Sequence, residues 1–482
     1  MPRPNVLLVH NDQQRFDALG AVTDEIHTPN LDRLAGEGVR FERYFVNNPV
    51  CMPSRESYMT GQYPSQLGIL YQGIPLPEDV PTLPDMLANY GYTSANLGKL
   101  HFLPHGNRYH NDIHPDYGFD QIEISDEPGP YPDAYRAWVR GKAPDQLEDI
   151  SVGLPPLARK FQEITRTEDD IEHPELRFPK RPVPFEADAD LTHTAFVADR
   201  TLDFLDRHRH DQPFLCVSGF YSPHSPWVVP QEYLDLYDPE DLTIPSYPAE
   251  AERRREEIAD DPDDSPDWME KPRFTDDELR QARHGYYAMV SEVDHHVGRI
   301  LDRLDELGLA ENTVVIFTSD HGEYLGDQLR YGKGWPGHDA SSRVPLIVRW
   351  PEGVDDPGRT VEGIVEAVDL VPTILECVDV QAPPHLLGES VRPALAGRDF
   401  EGRESAILET HQGTAVRTDR YRYAIDGDGV ESLFDLDADF GAYRDVAGDP
   451  DYRGALGDLR HHLLDRLVSL NIDSERKREW RS

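Results

Sequence analysis

Cysteine is scarce in this chain of 482 residues, which contains only Cys51, Cys216 and Cys377. The three cysteines are spaced 165 and 161 residues apart, and no CxxC pair is present. A disulfide framework or a cysteine-based zinc motif needs more cysteines at closer spacing. The sequence therefore excludes small disulfide-stabilised folds and zinc-ribbon proteins.

Long apolar runs are absent from the start of the chain, where Val6–Val9 is a run of only four apolar residues. The core of a signal peptide needs about 7–15 apolar residues, and a membrane helix needs about 20. We therefore expect a cytoplasmic protein with no membrane partner.

Basic residues are also few, since 48 Lys and Arg stand against 90 Asp and Glu and the formal net charge is −42. Such a surface repels nucleic acid and anionic lipid, so we expect neither as a partner. Of the basic residues 41 are Arg and 7 are Lys. Acid excess with lysine depletion is similar to the composition of halophilic archaeal proteins, in which molar salt shortens the Debye length to about 3 Å and screens self-repulsion. The hydrophobic content of 38% is sufficient for a folded core.

Apolar strands alternate with amphipathic helices over most of the chain. Buried-strand patterns occur at residues 5–9, 214–218, 313–317 and 344–348. The clearest helix pattern begins at a capping box formed by Thr275 and Glu278, and Gly308 is placed to end it. This order of elements predicts an α/β fold with a mostly parallel sheet.

The pattern changes after residue 400. Residues 414–423 alternate between polar and apolar side chains, and an amphipathic helix pattern follows at about 452–470. We predict a main domain over residues 1–400. A small C-terminal subdomain over residues 401–482 is expected to contain an antiparallel sheet and a terminal helix.

Cys51 differs from the other two cysteines in its surroundings. Cys216 and Cys377 lie in apolar segments, as buried structural thiols usually do. Cys51 instead lies between two prolines in a polar segment, four residues before Arg55. Cys51 therefore does not resemble a buried structural thiol, and its surroundings indicate a chemical role.

Polar side chains follow two of the predicted strands directly. Asp12 comes after the first strand, and Asp320 and His321 come after the strand at 313–317. Open α/β sheets bind their ligands at the carboxyl ends of the strands. Two carboxylates and an imidazole brought together there would form a divalent-metal site. Taken alone, an Asp-His-Gly segment is more often a turn.

The segment Cys51-Met52-Pro53-Ser54-Arg55, followed by Thr60-Gly61, resembles the signature of type I, formylglycine-dependent sulfatases of the alkaline phosphatase superfamily. Other segments are similar to further motifs of that family, in the same order: Asn11–Gln13, Gly98–His101, Ser222–Pro226, Ser319–Glu323, Gly332-Lys333, Arg417–Tyr421 and Leu433–Leu436. The resemblance covers nearly the whole chain. It implies an alkaline-phosphatase-like fold, with a mostly parallel sheet sandwiched by helices and a small C-terminal antiparallel subdomain, and a catalytic sulfatase domain over residues 1–400.

The resemblance also implies a role for each motif residue. The ligands of one divalent metal ion would be Asp12, Gln13, Asp320, His321 and the modified Cys51. The implied catalytic residues are Cys51 as the source of the nucleophile, Arg55 and Lys99 as its stabilisers, His101 as base, His224 as the acid for the leaving oxygen, and Lys333 as the sulfate-binding cation. Two of the seven lysines thus lie in these motifs. In a chain that otherwise uses arginine, this indicates a need for a compact charge.

In that family the cysteine is oxidised to formylglycine, and the hydrate of the aldehyde is the nucleophile. One hydroxyl of the hydrate attacks sulfur, and the other allows sulfate to leave as the aldehyde re-forms. A metal ion beside the hydrate lowers the pKa of its hydroxyl. The resemblance therefore implies a formylglycine-generating enzyme as partner, and a small-molecule or carbohydrate sulfate ester as substrate. Both must reach residue 51, so the resemblance also implies an exposed Cys51.

The two metal motifs depart from the pattern of many sulfatases, which have two adjacent aspartates in the first motif and Asp-Asn in the second. Here the pairs are Asp12-Gln13 and Asp320-His321. An amide and an imidazole reduce the negative charge on the metal and shift preference from calcium toward manganese, so we expect Ca²⁺ or Mn²⁺. Similar pairs occur in hydrolases of phosphonate monoesters and phosphodiesters, and Asp-His in the second motif also occurs in some uronate-sulfatase-like enzymes.

Three functions remain open at this point. The first is a sulfatase, the second is a phosphonate monoester or phosphodiester hydrolase with the same nucleophile, and the third is a non-catalytic anion- or sugar-binding protein on the same scaffold. The natural substrate depends on loops at 102–190 and 238–274, whose sequence carries no recognisable specificity motif.

Overall fold

The computed structural model describes residues 3–104, 114–130, 132–152, 181–209, 211–260 and 274–478. Parts of the two predicted substrate loops lie outside the described residues, namely 105–113, 153–180 and 261–273. None of the helices in the described ranges combines the length and the apolar character that crossing a membrane requires.

A large central sheet organises the main domain. In chain order, the strands are β1 (Asn5–Asn11), β2 (Val39–Phe45), β3 (Thr93–Gly98), β4 (Gln121–Ile124), β5 (Val183–Pro184), β6 (Phe214–Gly219), β7 (Val228–Val229), β8 (Thr313–Ser319), β9 (Leu346–Arg349), β10 (Arg359–Glu366), β11 (Ser405–Glu409), β12 (Gly413–Thr418), β13 (Tyr421–Asp426) and β14 (Glu431–Asp435). Eight of them form one sheet in the order β10-β2-β9-β8-β1-β6-β3-β4. Strand β9 is antiparallel to both of its neighbours, and all other neighbours are parallel. The predicted mostly parallel sheet is confirmed.

Helices cover both faces of this sheet. In chain order, they are α1 (Pro29–Glu37), α2 (Cys51–Thr60), α3 (Pro64–Leu67), α4 (Leu83–Ala88), α5 (Ala134–Lys142), α6 (His193–Arg207), α7 (Gln231–Leu234), α8 (Ala249–Asp260), α9 (Asp276–Glu306), α10 (Asp339–Ser342), α11 (Leu370–Cys377), α12 (Arg392–Leu395) and α13 (Arg453–Arg478). Alternate residues of β1 point to opposite faces. Val6 and Leu8 join an apolar cluster with α11, whereas Leu7 and Val9 join a second cluster with α6 and α9. An apolar strand such as β1 is therefore buried on both sides.

Helix α9 shows how local sequence sets the ends of an element. The Thr275 hydroxyl accepts the N–H of Glu278 at 3.2 Å, and the Glu278 carboxylate accepts the N–H of Thr275 at 2.8 Å. The helix ends at Glu306, and Gly308 follows with a φ of 68°. Apolar residues at helical spacing, such as Val297, pack against the sheet. The predicted capping box and the predicted end of this helix are both confirmed.

Glu292 of α9 is a buried carboxyl group whose ionisation costs stability. Thr192 Oγ1 donates to it at 2.6 Å, and burial raises the pKa of Glu292 to about 7 from 4.5. Between these two pH values the folded state binds more protons than the unfolded chain, so the free energy of unfolding falls as pH rises.

We expect Glu292→Gln to raise the free energy of unfolding at pH 8 by about 1–3 kcal/mol and to leave it nearly unchanged at pH 4. The reason is that the amide never ionises. Urea denaturation of both proteins at the two pH values measures the difference. A variant that loses stability between pH 4.5 and 7 as steeply as the wild type would contradict this account.

The C-terminal region forms a second, antiparallel sheet in the order β11-β12-β13-β14. Helix α13 packs against it, with Leu459 and Val416 in one apolar cluster. Arg466 of α13 donates to Glu366, the last residue of β10, at 3.0 Å. The predicted small antiparallel sheet and terminal helix are confirmed. The domain boundary between residues 400 and 401 stays a prediction.

Candidate active site

The site lies at the carboxyl ends of the central strands β1 and β8. These strands are parallel neighbours, and Asn11 pairs with Ser319. Asp12 and Asp320 are the next residues of each chain segment, and both are fully buried. Because the two strands are in register, the two predicted acidic residues leave the sheet side by side.

Cys51 is the first residue of α2, a helix of which all ten residues are buried. The residue itself is 1% exposed, so the expectation of an exposed cysteine is wrong. Lys333 Nζ at 2.7 Å and His321 Nε2 at 3.2 Å lie against its sulfur atom, and long-range contacts also hold the polar segment before it. Asn47 and Asn48 donate to the carbonyl oxygens of Ile407 and Glu409 in β11, at 3.0 and 2.6 Å. These two hydrogen bonds attach the segment to strand β11 of the C-terminal sheet.

Four buried side chains are close enough to share a metal ion. The ligand atoms of Asp12, Cys51, Asp320 and His321 all lie within 4.8 Å of one another. Cys51 Sγ is 3.2 Å from His321 Nε2 and 4.0 Å from Asp12 Oδ1. His321 Nε2 is 3.4 Å from Asp12 Oδ1 and 3.6 Å from Asp320 Oδ1.

The protonation of His321 suits a metal ligand. Its Nδ1 lies 2.8 Å from the carbonyl oxygen of Gly322, which assigns the ring proton to Nδ1 and leaves the lone pair on Nε2. Burial lowers the pKa of His321 to about 4, so the ring is neutral at pH 7. Nε2 and the facing carboxylate oxygens are then acceptors that point at one another. Such a set of donors to a metal fits a divalent cation.

Two buried cations, Arg55 and Lys99, offset the negative charge of the site carboxylates. Arg55 Nε donates to Asp320 Oδ2 at 2.6 Å, and Arg55 Nη2 donates to Asp12 Oδ2 at 3.2 Å. Lys99 Nζ lies 2.6 Å from the same Asp12 oxygen. Burial alone would raise the pKa of Asp12, but Lys99 and other nearby cations bring this pKa well below its ordinary value. Asp12 is therefore ionised. Arg55 and Lys99 contact its Oδ2, and its Oδ1 faces His321.

Lys333 and His224 form the opposite side of the site. Lys333 Nζ is 2.7 Å from Cys51 Sγ and 2.9 Å from His224 Nε2. The Nδ1 atom of His224 lies 2.6 Å from the carbonyl oxygen of Ser225 and so carries the ring proton. Both side chains are partly exposed, in contrast to the four metal-ligand candidates. A substrate must therefore reach Cys51 past Lys333 and His224.

Burial and neighbouring charges shift the pKa values of this pair in opposite directions. Burial lowers the pKa of His224, and the ammonium group of Lys333 lowers it further. Burial would also lower the pKa of Lys333, but Cys51 and Asp12 raise this pKa above its ordinary value. At neutral pH the pair is an ammonium group that donates to a neutral imidazole.

Two predicted site residues are placed less directly. The backbone N–H of Gln13 donates to Asp320 Oδ1 at 3.1 Å, and Gln13 Oε1 lies 3.4 Å from Lys333 Nζ, at the edge of the ligand set. His101 is buried near the end of β3, and its backbone N–H donates to Asp126 Oδ1 at 3.1 Å. The proposed base function of His101 stays a prediction.

Sequence reasoning assigns no role to Tyr221 or Glu323, although both lie at the site. The ring centroid of Tyr221 is 4.9 Å from Lys99 Nζ, and its hydroxyl donates to the carbonyl oxygen of Ser225 at 2.7 Å. Glu323 accepts a hydrogen bond from the Gln13 amide. Glu323 is the last residue of the motif segment Ser319–Glu323, in which only Asp320 and His321 have predicted roles, and no signal marks Tyr221.

The fold of the chain is the alkaline-phosphatase-like α/β fold that the sequence predicts. The structure is similar to that of the phosphonate monoester hydrolase of Agrobacterium radiobacter, with a TM-score of 0.80 and 26% sequence identity. That similarity covers 98% of this chain and 96% of the hydrolase chain.

Family comparison is more specific than the fold. The sulfatase family model matches residues 4–380, and the model of the C-terminal region of N-sulphoglucosamine sulphohydrolase matches residues 331–469. The chain therefore belongs to the sulfatase family, within the alkaline phosphatase superfamily. It is 28% identical over 488 residues to an arylsulfatase of Clostridium perfringens, covering 96% of this chain and 94% of the relative. It is also 28% identical over 492 residues to an ulvan-active sulfatase of Formosa agariphila, covering 99% of this chain and 83% of the relative.

Proposed function

We propose that this protein is a sulfuric ester hydrolase that cleaves a sulfate monoester with a formylglycine derived from Cys51. Family membership and the nearly full-length similarity to an arylsulfatase support this function. The observation that carries it is the position of Lys333, whose Nζ lies 2.7 Å from Cys51 Sγ on the exposed side of the site. A cation at this position is suited to an anionic group that approaches residue 51 from solvent.

Each residue around Cys51 has a separate role in the proposed reaction. As formylglycine, residue 51 would supply a hydroxyl of the aldehyde hydrate as the nucleophile. Lys333 binds oxygens of the sulfate group as negative charge moves onto them. Arg55 and Lys99 lie behind Asp12 and keep it ionised and oriented. His101 is the proposed base for regeneration of the aldehyde.

His224 gives a proton to the leaving oxygen in this proposal. Its Nδ1–H donates a hydrogen bond to the Ser225 carbonyl oxygen and keeps its proton. The proton to be transferred therefore belongs on Nε2, which faces Lys333. A bound sulfate group carries negative charge that offsets the ammonium group of Lys333. This offset raises the proton affinity of Nε2, so substrate binding prepares the acid.

The proposed cofactor is one divalent cation, Ca²⁺ or Mn²⁺, held by Asp12, Asp320, His321 and residue 51, with Gln13 as a further ligand. When bound, it would supply positive charge that lowers the pKa of the nucleophile and binds the anionic substrate. The imidazole nitrogen among the ligands favours Mn²⁺, whereas carboxylate and amide oxygens accept either ion. The conversion of Cys51 implies a formylglycine-generating enzyme as partner.

The mass of the tryptic peptide Tyr44–Arg55, taken from protein made in its native host, tests the proposed nucleophile. Formylglycine at position 51 would make this peptide lighter than the encoded one and reactive toward carbonyl reagents. A peptide that always carries the encoded cysteine would contradict the mechanism. A non-catalytic anion- or sugar-binding protein would then be the function to test.

A phosphonate monoester or phosphodiester hydrolase is the second candidate. It is favoured by the pairs Asp12-Gln13 and Asp320-His321 and by the similarity to the Agrobacterium hydrolase over 98% of this chain. Turnover of an aryl sulfate, an aryl phosphonate and an aryl phosphodiester by one preparation separates the two functions. The sulfatase proposal requires the highest kcat/KM for the sulfate. Similarity to an ulvan-active sulfatase supports sulfated carbohydrates as the natural substrate class.

We expect Lys333→Arg to lower kcat/KM for an aryl sulfate by about 10²–10³-fold. The planar guanidinium group is larger than the ammonium group and does not fit between Cys51 and His224, which lie 2.7 and 2.9 Å from Nζ. Lys142→Arg is the matched control, because Lys142 pairs with Asp190 at an exposed position of α5. Nearly wild-type turnover by Lys333→Arg would show that the site needs only a positive charge.

A further inference from the structure

Glu323 is an acidic side chain beside the site whose two oxygens both accept hydrogen bonds, although the proposed reaction assigns it no role. It is 1% exposed. Its Oε2 accepts a hydrogen bond from Gln13 Nε2. Its Oε1 accepts the backbone N–H of Leu325 at 3.0 Å and also the backbone N–H of Gly332. Three N–H groups thus converge on one buried side chain.

These contacts fix which way the Gln13 amide points. Two backbone N–H groups occupy Oε1 of Glu323, and Oε2 accepts Gln13 Nε2, so the amide turns its NH₂ group toward Glu323. The amide oxygen is then on the other side, where Lys333 Nζ lies 3.4 Å from it. The reversed amide would place its NH₂ against the ammonium group of Lys333 and its oxygen against the carboxylate. The reversed amide would therefore set donor against donor at Lys333, and this disfavours the reversed orientation.

Gln13 contacts the proposed metal site through two neighbours, Asp320 and Lys333. The backbone N–H of Gln13 donates to Asp320 Oδ1, one of the ligand candidates, at 3.1 Å. Lys333 Nζ, which contacts the amide oxygen, is 2.7 Å from Cys51 Sγ, another ligand candidate. An amide oxygen is a suitable metal ligand, whereas an amide NH₂ group is not.

We propose that Glu323 is a positioning residue that aims the Gln13 amide oxygen at the metal ion, an inference that rests on the proposed metal site. The same carboxylate holds the backbone at Gly332, directly before Lys333. The Gly332 carbonyl oxygen in turn accepts the N–H of Tyr324 at 2.9 Å. One buried side chain thereby couples a metal ligand to the segment that presents the sulfate-binding lysine.

The affinity of chelator-stripped protein for Mn²⁺, measured by calorimetric titration, tests this proposal without any turnover assay. We expect Glu323→Gln to weaken Mn²⁺ binding by about 10–100-fold, as is typical for residues that orient metal ligands. The introduced amide can still accept the two backbone N–H groups with its oxygen. Its NH₂ group then faces that of Gln13, and the Gln13 amide turns its nitrogen toward the metal.

The exchanged pair, Gln13→Glu combined with Glu323→Gln, makes the test specific. The amide introduced at position 323 donates to the carboxylate introduced at position 13, and the second carboxylate oxygen faces the metal. We expect this double variant to bind Mn²⁺ within about tenfold of the wild type, and Gln13→Glu alone to bind more weakly, because two buried carboxylates then face each other.

Glu292→Gln is the control, since it also replaces a buried glutamate by its amide but lies on α9 and bonds to Thr192. We expect its Mn²⁺ affinity to equal that of the wild type. The proposal is overturned if Glu323→Gln binds Mn²⁺ like the wild type, if the double variant is no better than the single ones, if the control loses as much affinity, or if the wild type binds no Mn²⁺. A wild type that binds Mn²⁺ tightly but hydrolyses no sulfate ester would refute the proposed function and leave this inference standing.

Discussion

Replacing Cys51 with alanine is expected to lower the turnover of an aryl sulfate by about 10⁴–10⁶-fold, because the nucleophile can form at no other position. The substitution removes one heavy atom, the sulfur, from a buried residue and leaves only a small cavity, so the variant is expected to fold. Kinetics at saturating substrate measure the loss. Thermal unfolding of the same preparation shows that the fold is kept.

Cys377→Ala is the matched control for this variant. Cys377 is also buried, but it ends helix α11 and packs in the apolar cluster on one face of the sheet. We expect it to lose some thermal stability through the small cavity and to keep wild-type turnover. Residual activity of Cys51→Ala above about 1% of wild type would show that another group is the nucleophile.

Replacing Arg55 with leucine is expected to lower the free energy of unfolding by about 3–5 kcal/mol in chelator-treated protein. Arg55 bonds to both Asp12 and Asp320, and all three side chains are fully buried. The guanidinium group of Arg55 lies between the two carboxylates and compensates the energetic cost of removing them from water. Its loss leaves two buried carboxylates with one cation, Lys99, on Asp12. Urea denaturation measures the change.

Arg33→Leu provides the comparison for Arg55→Leu. Arg33 pairs with Asp302 at 2.8 Å, but the two side chains are 35% and 61% exposed. Exposed pairs of this kind contribute about 0–1 kcal/mol, so this variant is expected to be nearly neutral. If the two arginine variants were equally stable, the buried triad would not have the energetic weight that its geometry indicates.

Several features of the molecule follow from short segments of its sequence. The apolar run of β1 predicts a strand buried on both faces, and Thr275 with Glu278 predicts the start of α9. The spacing of Cys51, Pro53, Ser54 and Arg55, together with further short motifs in the family's order, indicates the family. These features depend on interactions between residues that are close in sequence. A short segment therefore contains the information needed to predict them.

The tertiary structure decided which distant side chains meet. The expected exposure of Cys51 was wrong because His321 and Lys333, 270 and 282 residues away, lie against its sulfur atom. Glu323 lies in the motif segment Ser319–Glu323 but has no predicted role, and only the structure shows its carboxyl group on the Gln13 amide, 310 residues away. The burial of Cys51, the pKa shifts of the site residues and the orientation of that amide arise from such long-range contacts. Local sequence patterns carry no information about them, because strand pairing and domain packing determine what surrounds each group.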